Sequence, residues 1–377
     1  MTDVDRQDRT SLRRAAPALL GYAGVRALGL LALVLWSAAA GKSPHTLLTA
    51  RWDSLWYTRV AEQGYGWSVT LPGGDVHSNL AFFPLLPWLE RFVAAVSPLS
   101  YADAGLLVSW LASLAAAWGI FAVGDLLYGR RAGICLAVLW GALPVGIVAS
   151  MAYSEALFTA LAAWGLYAVV RQRWVSAGLL AALAGLTRPV GAAVVAAVWV
   201  AAALWIARER RAPWRLVAGV LLAPLGAAAY VLWVGHRTGG GLFGYLDVQE
   251  QWGNGFDGGL SFARFVADKF TSLPGALAGI GLIVGVALVL WLYVAGVRQR
   301  QPVPLLVYTG IVVVLALCAS GYFGSKPRLL LPAFPLLLPI AVALARWRTS
   351  RSAWVLGGLA AISAVYGAFW LNGSGPP

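Results

Sequence analysis

The sequence predicts an all-α, polytopic integral membrane protein, and three observations carry that prediction. First, 60% of the 377 residues are hydrophobic and only 11% are charged, less than half of the roughly 25% usual for a soluble domain. Second, apolar runs of about 17–25 residues recur between short charged turns, the length that crosses hydrocarbon as a helix. These runs do not alternate in polarity, and in lipid only helices or closed barrels satisfy the backbone. Third, the arginines are dispersed in small clusters between the runs, as cytoplasmic turns of a multi-pass protein require.

Taken in order, the first run follows Arg13-Arg14 and ends near Ser37-Ala38-Ala39-Ala40. At about 25 residues it exceeds the roughly 7–15 of a cleavable signal, so an uncleaved first helix is expected. About eleven spans follow from the pattern: 15–40, 104–127, 132–150, 153–170, 174–187, 189–207, 214–236, 272–297, 303–322, 329–346 and 353–371. The two flanking Thr187-Arg188-Pro189 read as a hairpin of half-length helices. Such segments are tolerated where they line a protein cavity. Arg6 to Arg14, Arg130-Arg131, Arg171/Arg173, Arg208 to Arg215, Arg298/Arg300 and Arg346/Arg348/Arg351 then share one face with the N-terminus. That face is predicted cytoplasmic. The opposite, outer face receives most of the acids and the two long connections, 41–103 and 237–271. The chain is therefore expected to be a single transmembrane domain, 1–377, with its function-bearing loops outside.

Several function classes drop out. The net charge of +13 forms no single basic domain, so nucleic acid is not an expected partner. Cys135 and Cys318 sit inside apolar runs and read as core residues, not as a disulfide framework. Gly239-Gly240-Gly241 and Gly258-Gly259 follow no strand and read as flexible loop rather than a phosphate cradle. No internal repeat is visible, which weighs against a secondary transporter.

Polar residues are scarce, so their placement is informative. Arg51-Trp52-Asp53-Ser54 opens the first outer connection. Trp52, Leu55, Trp56, Val60 and Ala61 form one helical stripe, and Phe82, Phe83, Leu85, Leu86 and Leu89 a second. Both predict amphipathic helices lying in the interface. Asp53 beside Trp52 is either a half-desolvated base or an N-cap of the helix that follows. Arg188, Lys326 and Arg328 fall at outer helix ends and suit a phosphate; Lys326 and Arg328 equally suit snorkelling to headgroups. Glu62 pairs with Arg59 or assists an acceptor. Glu155 opens a span where the helix dipole favours an acid. Gln251 and Trp252 suit a sugar, or an aromatic membrane belt. Asp75 and His77 make at most a weak site for a divalent metal, with no tight ligand spacing, and no cofactor is expected.

The residues Trp52-Asp53 with Tyr57, Ala61-Glu62-Gln63-Gly64-Tyr65, Ala81-Phe82-Phe83-Pro84 and Tyr153-Ser154-Glu155-Ala156-Leu157-Phe158 resemble the GPI mannosyltransferase 2 (PIG-V-like) family of the GT-C glycosyltransferase superfamily. Leu186-Thr187-Arg188-Pro189-Val190-Gly191 is similar more loosely. The first-loop pattern is the most specific, and residues 66–79 match nothing in the family. The resemblance implies a GT-C-like fold and a mannosyltransferase using a polyprenyl-phosphate sugar on the non-cytoplasmic side. It further implies inversion, with Asp53 as general base. Partners would be the lipid-linked donor, membrane lipids and a glycan or glycolipid acceptor. A flippase or transporter of lipid-linked sugars is the competing reading, as are another sugar or a protein acceptor. The inner connections are too short to hold a nucleotide-sugar domain, which agrees with a donor delivered through the bilayer.

Overall fold

A computed structural model describes residues 3–373 and 375, with side chains from residue 12 onward. Of the basic cluster at Arg6 to Arg14, all but Arg13 and Arg14 therefore lie outside the described side chains. Among the described residues the secondary structure is helical apart from one small hairpin and an isolated bridge. Six helices among them are long and apolar enough to cross a membrane: Leu12–Ala39, Tyr101–Tyr128, Pro189–Glu209, Trp214–Thr238, Leu273–Arg298 and Thr349–Asn372. Two further segments are broken pairs, and Ser154–Val170, Trp174–Gly185 and Val303–Cys318 are shorter apolar helices. These segments fall where the hydropathy pattern places its eleven spans. The protein is a multi-pass membrane protein.

Three segments depart from expectation. The span read as 132–150 is bent by 84° between Arg130–Gly141 and Pro144–Ser150. Leu143, immediately before Pro144, is extended at ψ 144, as the proline ring demands of its predecessor. The span read as 329–346 is likewise bent by 75°, between Phe323–Leu329 and Phe334–Arg346. Pro332 sits in that break and cannot continue a helical ladder. Around Arg188 only the first arm is short: Trp174–Gly185 has 12 residues, whereas Pro189–Glu209 has 21.

Polar contacts sort the bundle into two ends. At one, Arg14 pairs with Asp125 at 2.7 Å, Arg130 Nε donates to the Arg14 carbonyl, and Arg131 donates to the Trp347 carbonyl. At the other, Lys42 donates to the Asn372 carbonyl and Arg51 to that of Leu371, while His45 meets Asp103 at 2.6 Å. Asp53 opens the helix directly after Arg51, so the first long connection belongs to the second end. Between the ends, helices pack closely where side chains vanish. A Cβ on Gly178 would lie 2.3 Å from the Gly219 carbonyl oxygen, so Trp174–Gly185 and Trp214–Leu222 touch backbone to backbone, as small residues permit in membranes.

The first connection is folded, not floppy. It holds the helix Asp53–Gln63, an antiparallel hairpin of Ser68–Thr70 against Val76–Ser78, and the helix Leu85–Val96. The buried stripe of the first helix is Ser54, Tyr57, Val60 and Ala61; Leu55 is exposed instead. Phe82 and Phe83 precede the second helix: Phe82 packs with Tyr57 and Leu86, and Phe83 with Tyr230 and Tyr245.

Glu90 sits in that second helix, fully buried, with neither carboxyl oxygen hydrogen-bonded among the described residues. It lies against Gly105. Burial raises its pKa well above the ordinary carboxyl range. The folded protein therefore holds the proton to a higher pH than the unfolded chain does. Stability is full below the ordinary pKa of about 4.3 and falls as pH rises toward the folded value, by about 1.4 kcal/mol per pH unit between the two. Glu90→Met keeps the volume and removes the titration. We expect the variant to match the wild type in thermal unfolding near pH 4 and to exceed it at pH 7–8. A wild-type advantage at pH 8 would show that Glu90 has a charged-state partner.

Candidate functional site

The site begins with a kink. Trp52 adopts φ 51 and ψ −124, a strained conformation for a bulky residue that surrounding contacts must hold. Ser54 Oγ donates to the Arg51 carbonyl at 2.6 Å and accepts from the Arg51 N–H at 3.1 Å. The Arg51 guanidinium lies 3.9 Å over the Trp52 ring. Asp53 thereby becomes the first residue of its helix, with its backbone N–H reaching the Tyr153 hydroxyl at 3.3 Å. Trp52 occupies the capping position and no side chain caps the helix, so Asp53 is not the N-cap. Its carboxylate turns instead to Arg328, Oδ2 to Nη1 at 2.8 Å.

Four further groups continue the array. Glu155, near the start of Ser154–Val170, places Oε1 at 3.4 Å from Arg328 Nε and 2.7 Å from Arg188 Nη1. These are ion pairs by distance; neither is aligned as a hydrogen bond. Arg188 Nη1 also donates to Ser154 Oγ at 3.0 Å, which shares a 2.7 Å hydrogen bond with the Tyr57 hydroxyl. Burial opposes the Arg188 charge most strongly, but Glu155, Tyr57 and Asp53 together outweigh it, so its pKa lies above the ordinary value. Burial also pushes the Tyr57 hydroxyl up, and Tyr57 stays neutral. The order Asp53, Arg328, Glu155, Arg188 alternates in sign, with two positive and two negative groups.

All four line one cavity of about 510 Å³. Its lining includes aliphatic side chains, Val190, Val312, Leu315, Ala316, Ala319 and Leu329, and aromatic ones, among them Trp52, Trp56, Phe82 and Trp252. Trp56 stacks on Phe82 at 5.5 Å and meets Trp252 edge-on at 4.7 Å. Such a chamber offers cations for an anion, aliphatic surface for a hydrocarbon chain and aromatic rings for a sugar face.

Asp53, Trp52, Glu155, Arg188 and Arg328 are thus brought together; three other expected residues are not. Lys326 is absent from the cavity lining. Its Nζ donates to the carbonyls of Ala316 and Ala319, each at 2.8 Å. It is a C-terminal cap of Val303–Cys318, satisfying carbonyls that a helix end leaves open. Glu62 is exposed and forms no ion pair among the described residues; Arg59 lies 3.7 Å over the Trp67 ring instead. Gln251 points away, accepting from the Val76 N–H at 3.0 Å. Gln249, two residues earlier, lines the cavity and is fixed by Asn254 at 2.7 Å. A helical turn decides this, since residues two apart face opposite ways. Among the described residues no group of three or more His, Cys, Asp or Glu gathers, and the His77 ring stacks on Trp252 at 4.1 Å.

The role of Lys326 is testable. Lys326→Met should lower stability by about 1–3 kcal/mol through unsatisfied carbonyls. Binding of polyprenyl phosphate to the remaining folded protein should be unchanged. A selective loss of lipid-phosphate binding at wild-type stability would return Lys326 to the site.

No protein-family profile matches the sequence, and no curated protein does. Solved structures do match. ArnT from Cupriavidus metallidurans bound to undecaprenyl phosphate superposes with a TM-score of 0.55 at 15% identity, over 91% of this chain and 62% of that one. The chain shares its fold with ArnT. The apo form of ArnT superposes with a TM-score of 0.50 at 17% identity, over 80% of this chain and 55% of that one. The chain thus spans under two thirds of the length of ArnT, and what it shares over that part is the helical fold.

Proposed function

We propose that this chain is a membrane glycosyltransferase whose donor is a polyprenyl-phosphate sugar. The observation that carries the reading is the cavity itself. Two carboxylates, Asp53 and Glu155, and two arginines, Arg188 and Arg328, meet in a chamber lined by aliphatic and aromatic side chains. Guanidinium groups suit a phosphodiester, the aliphatic side chains suit an isoprenoid, and the aromatic rings suit a pyranose face. A fold relative bound to undecaprenyl phosphate supports the same ligand chemistry.

In the proposed reaction an acceptor hydroxyl oxygen attacks the anomeric carbon. The bond from that carbon to the phosphate oxygen breaks, and its electron pair leaves on the polyprenyl phosphate. Asp53 takes the hydroxyl proton as general base, and Arg188 and Arg328 stabilise the phosphate that departs. Direct displacement inverts the anomeric centre. The resemblance of the first-loop pattern favours mannose as the sugar, and a glycan or glycolipid as acceptor. The end bearing Asp53 is then the outer face, with the arginine-rich end and the N-terminus cytoplasmic, as positive charge distribution requires.

The test is transfer of radiolabel from polyprenyl-phosphate-mannose to a membrane glycolipid extract, in proteoliposomes of defined sidedness. Label should move to a new product only when donor is in the leaflet facing the Asp53 end. Label that crosses the bilayer still attached to its carrier would identify a flippase instead. Transfer from another polyprenyl-phosphate sugar, but not from the mannose form, would keep the mechanism and replace the sugar.

A further inference from the structure

Resting on that reading, the geometry points to an exchange of anions on Arg328: the donor's phosphate takes the place of the Asp53 carboxylate, so that seating the donor frees the base.

The argument starts from charge. Two arginines face two carboxylates, and the array is neutral as it stands. An added phosphodiester brings one negative charge into a partly desolvated chamber, where an excess anion is costly. One of the carboxylates must yield its cation. The two acids are not equivalent. The Glu155 side chain is 1% exposed and lies between both arginines. The Asp53 side chain is 25% exposed and has a single ionic partner among the described residues, Arg328. Glu155 has nowhere to go, and releasing it would strand a buried charge. Asp53 sits on the first turn of an interfacial helix beside open cavity, and water or an acceptor hydroxyl can replace what it gives up.

Chemistry makes the same demand. A carboxylate oxygen that already accepts from a guanidinium is not free to take up an acceptor hydroxyl. Asp53 at 2.8 Å from Arg328 is therefore restrained. Once phosphate occupies Arg328, the carboxylate is released at the moment a leaving group is in place. The exchange gives the binding order donor before acceptor. Glu155 is a positioning residue in this scheme, holding both guanidinium planes toward the chamber.

The experiment measures binding of undecaprenyl phosphate to the detergent-purified full chain and to the variants Asp53→Asn, Arg328→Gln and the double variant. Asp53→Asn removes the competing anion and should bind about tenfold tighter than wild type, the scale of one charge-assisted hydrogen bond. The gain must vanish in the Arg328→Gln background, because without that cation nothing is exchanged. Asp103→Asn, an acid of the same end paired with His45, should leave affinity unchanged. Should Asp53→Asn not fold, Asp53→Ser makes the same comparison. Equal or weaker binding by Asp53→Asn overturns the exchange and leaves the lipid-phosphate reading standing. A gain that persists with Arg328→Gln is general repulsion and also overturns it. Absence of binding by every form, wild type included, overturns the lipid-phosphate reading and the exchange together.

Discussion

Asp53→Asn is expected to abolish sugar transfer, with the rate falling by about 10²–10⁴-fold, the usual contribution of a positioned general base. Asparagine keeps the shape and a hydrogen-bonding oxygen for Arg328 but cannot accept the proton. Fold should survive, because the helix takes no cap from the Asp53 side chain and the kink is held by Arg51, Trp52 and Ser54. The measurement is label transfer alongside thermal unfolding. Taken with the tighter lipid-phosphate binding expected of the same variant, the pattern is distinctive: better donor binding, no turnover. Normal turnover in a folded Asp53→Asn protein would remove Asp53 from the chemistry.

Glu155→Gln carries the second large effect, and it acts first on stability. The carboxylate is the shared counter-ion of Arg188 and Arg328, whose side chains are themselves largely buried. Deleting one member of a buried pair leaves an uncompensated charge and costs about 3–5 kcal/mol. Arg188 is left with no carboxylate partner among the described residues, whereas Arg328 keeps Asp53, so the lower part of that range is expected. Thermal unfolding in a fixed detergent should show a drop of several degrees, and transfer should fall with it. Tyr57→Phe removes only the hydroxyl that shares a hydrogen bond with Ser154 and makes a milder comparison. If Glu155→Gln unfolds at the wild-type temperature, the arginines have other counter-ions and the alternating array is not what holds the site.

Part of the site is legible in the residue pattern alone. Trp52-Asp53 stands out because a polar, aromatic island is conspicuous in an apolar chain, and Tyr153-Ser154-Glu155 because an acid at a helix start is conspicuous too. Other features leave weaker traces. The hairpin at residues 68–78 has its signal in Val69-Thr70, Pro72-Gly73-Gly74 and Val76, a turn between two β-branched patches, but three residues per strand are too few to show a clear alternation. Lys326 and Arg328 look equivalent from spacing. Their fates separate because one side chain finds the open carbonyls at the end of Val303–Cys318 and the other finds Asp53. Gln251 stands out through its neighbour Trp252, but its side chain turns to Val76 and it is Gln249 that lines the cavity.

By itself the sequence determined the membrane class, the positions of the apolar segments and the arginine-rich end. Those properties are local: the length of an apolar run and the charge of a turn are set by neighbours along the chain, and the bilayer reads them one segment at a time. Only the tertiary structure decided which ions meet. Asp53 and Arg328 are 275 positions apart. They come within 2.8 Å because a strained Trp52 aims one helix and a break at Pro332 stops another short of the far end. Pairing of charges depends on ångström distances across separate helices, and no one-dimensional pattern contains that distance.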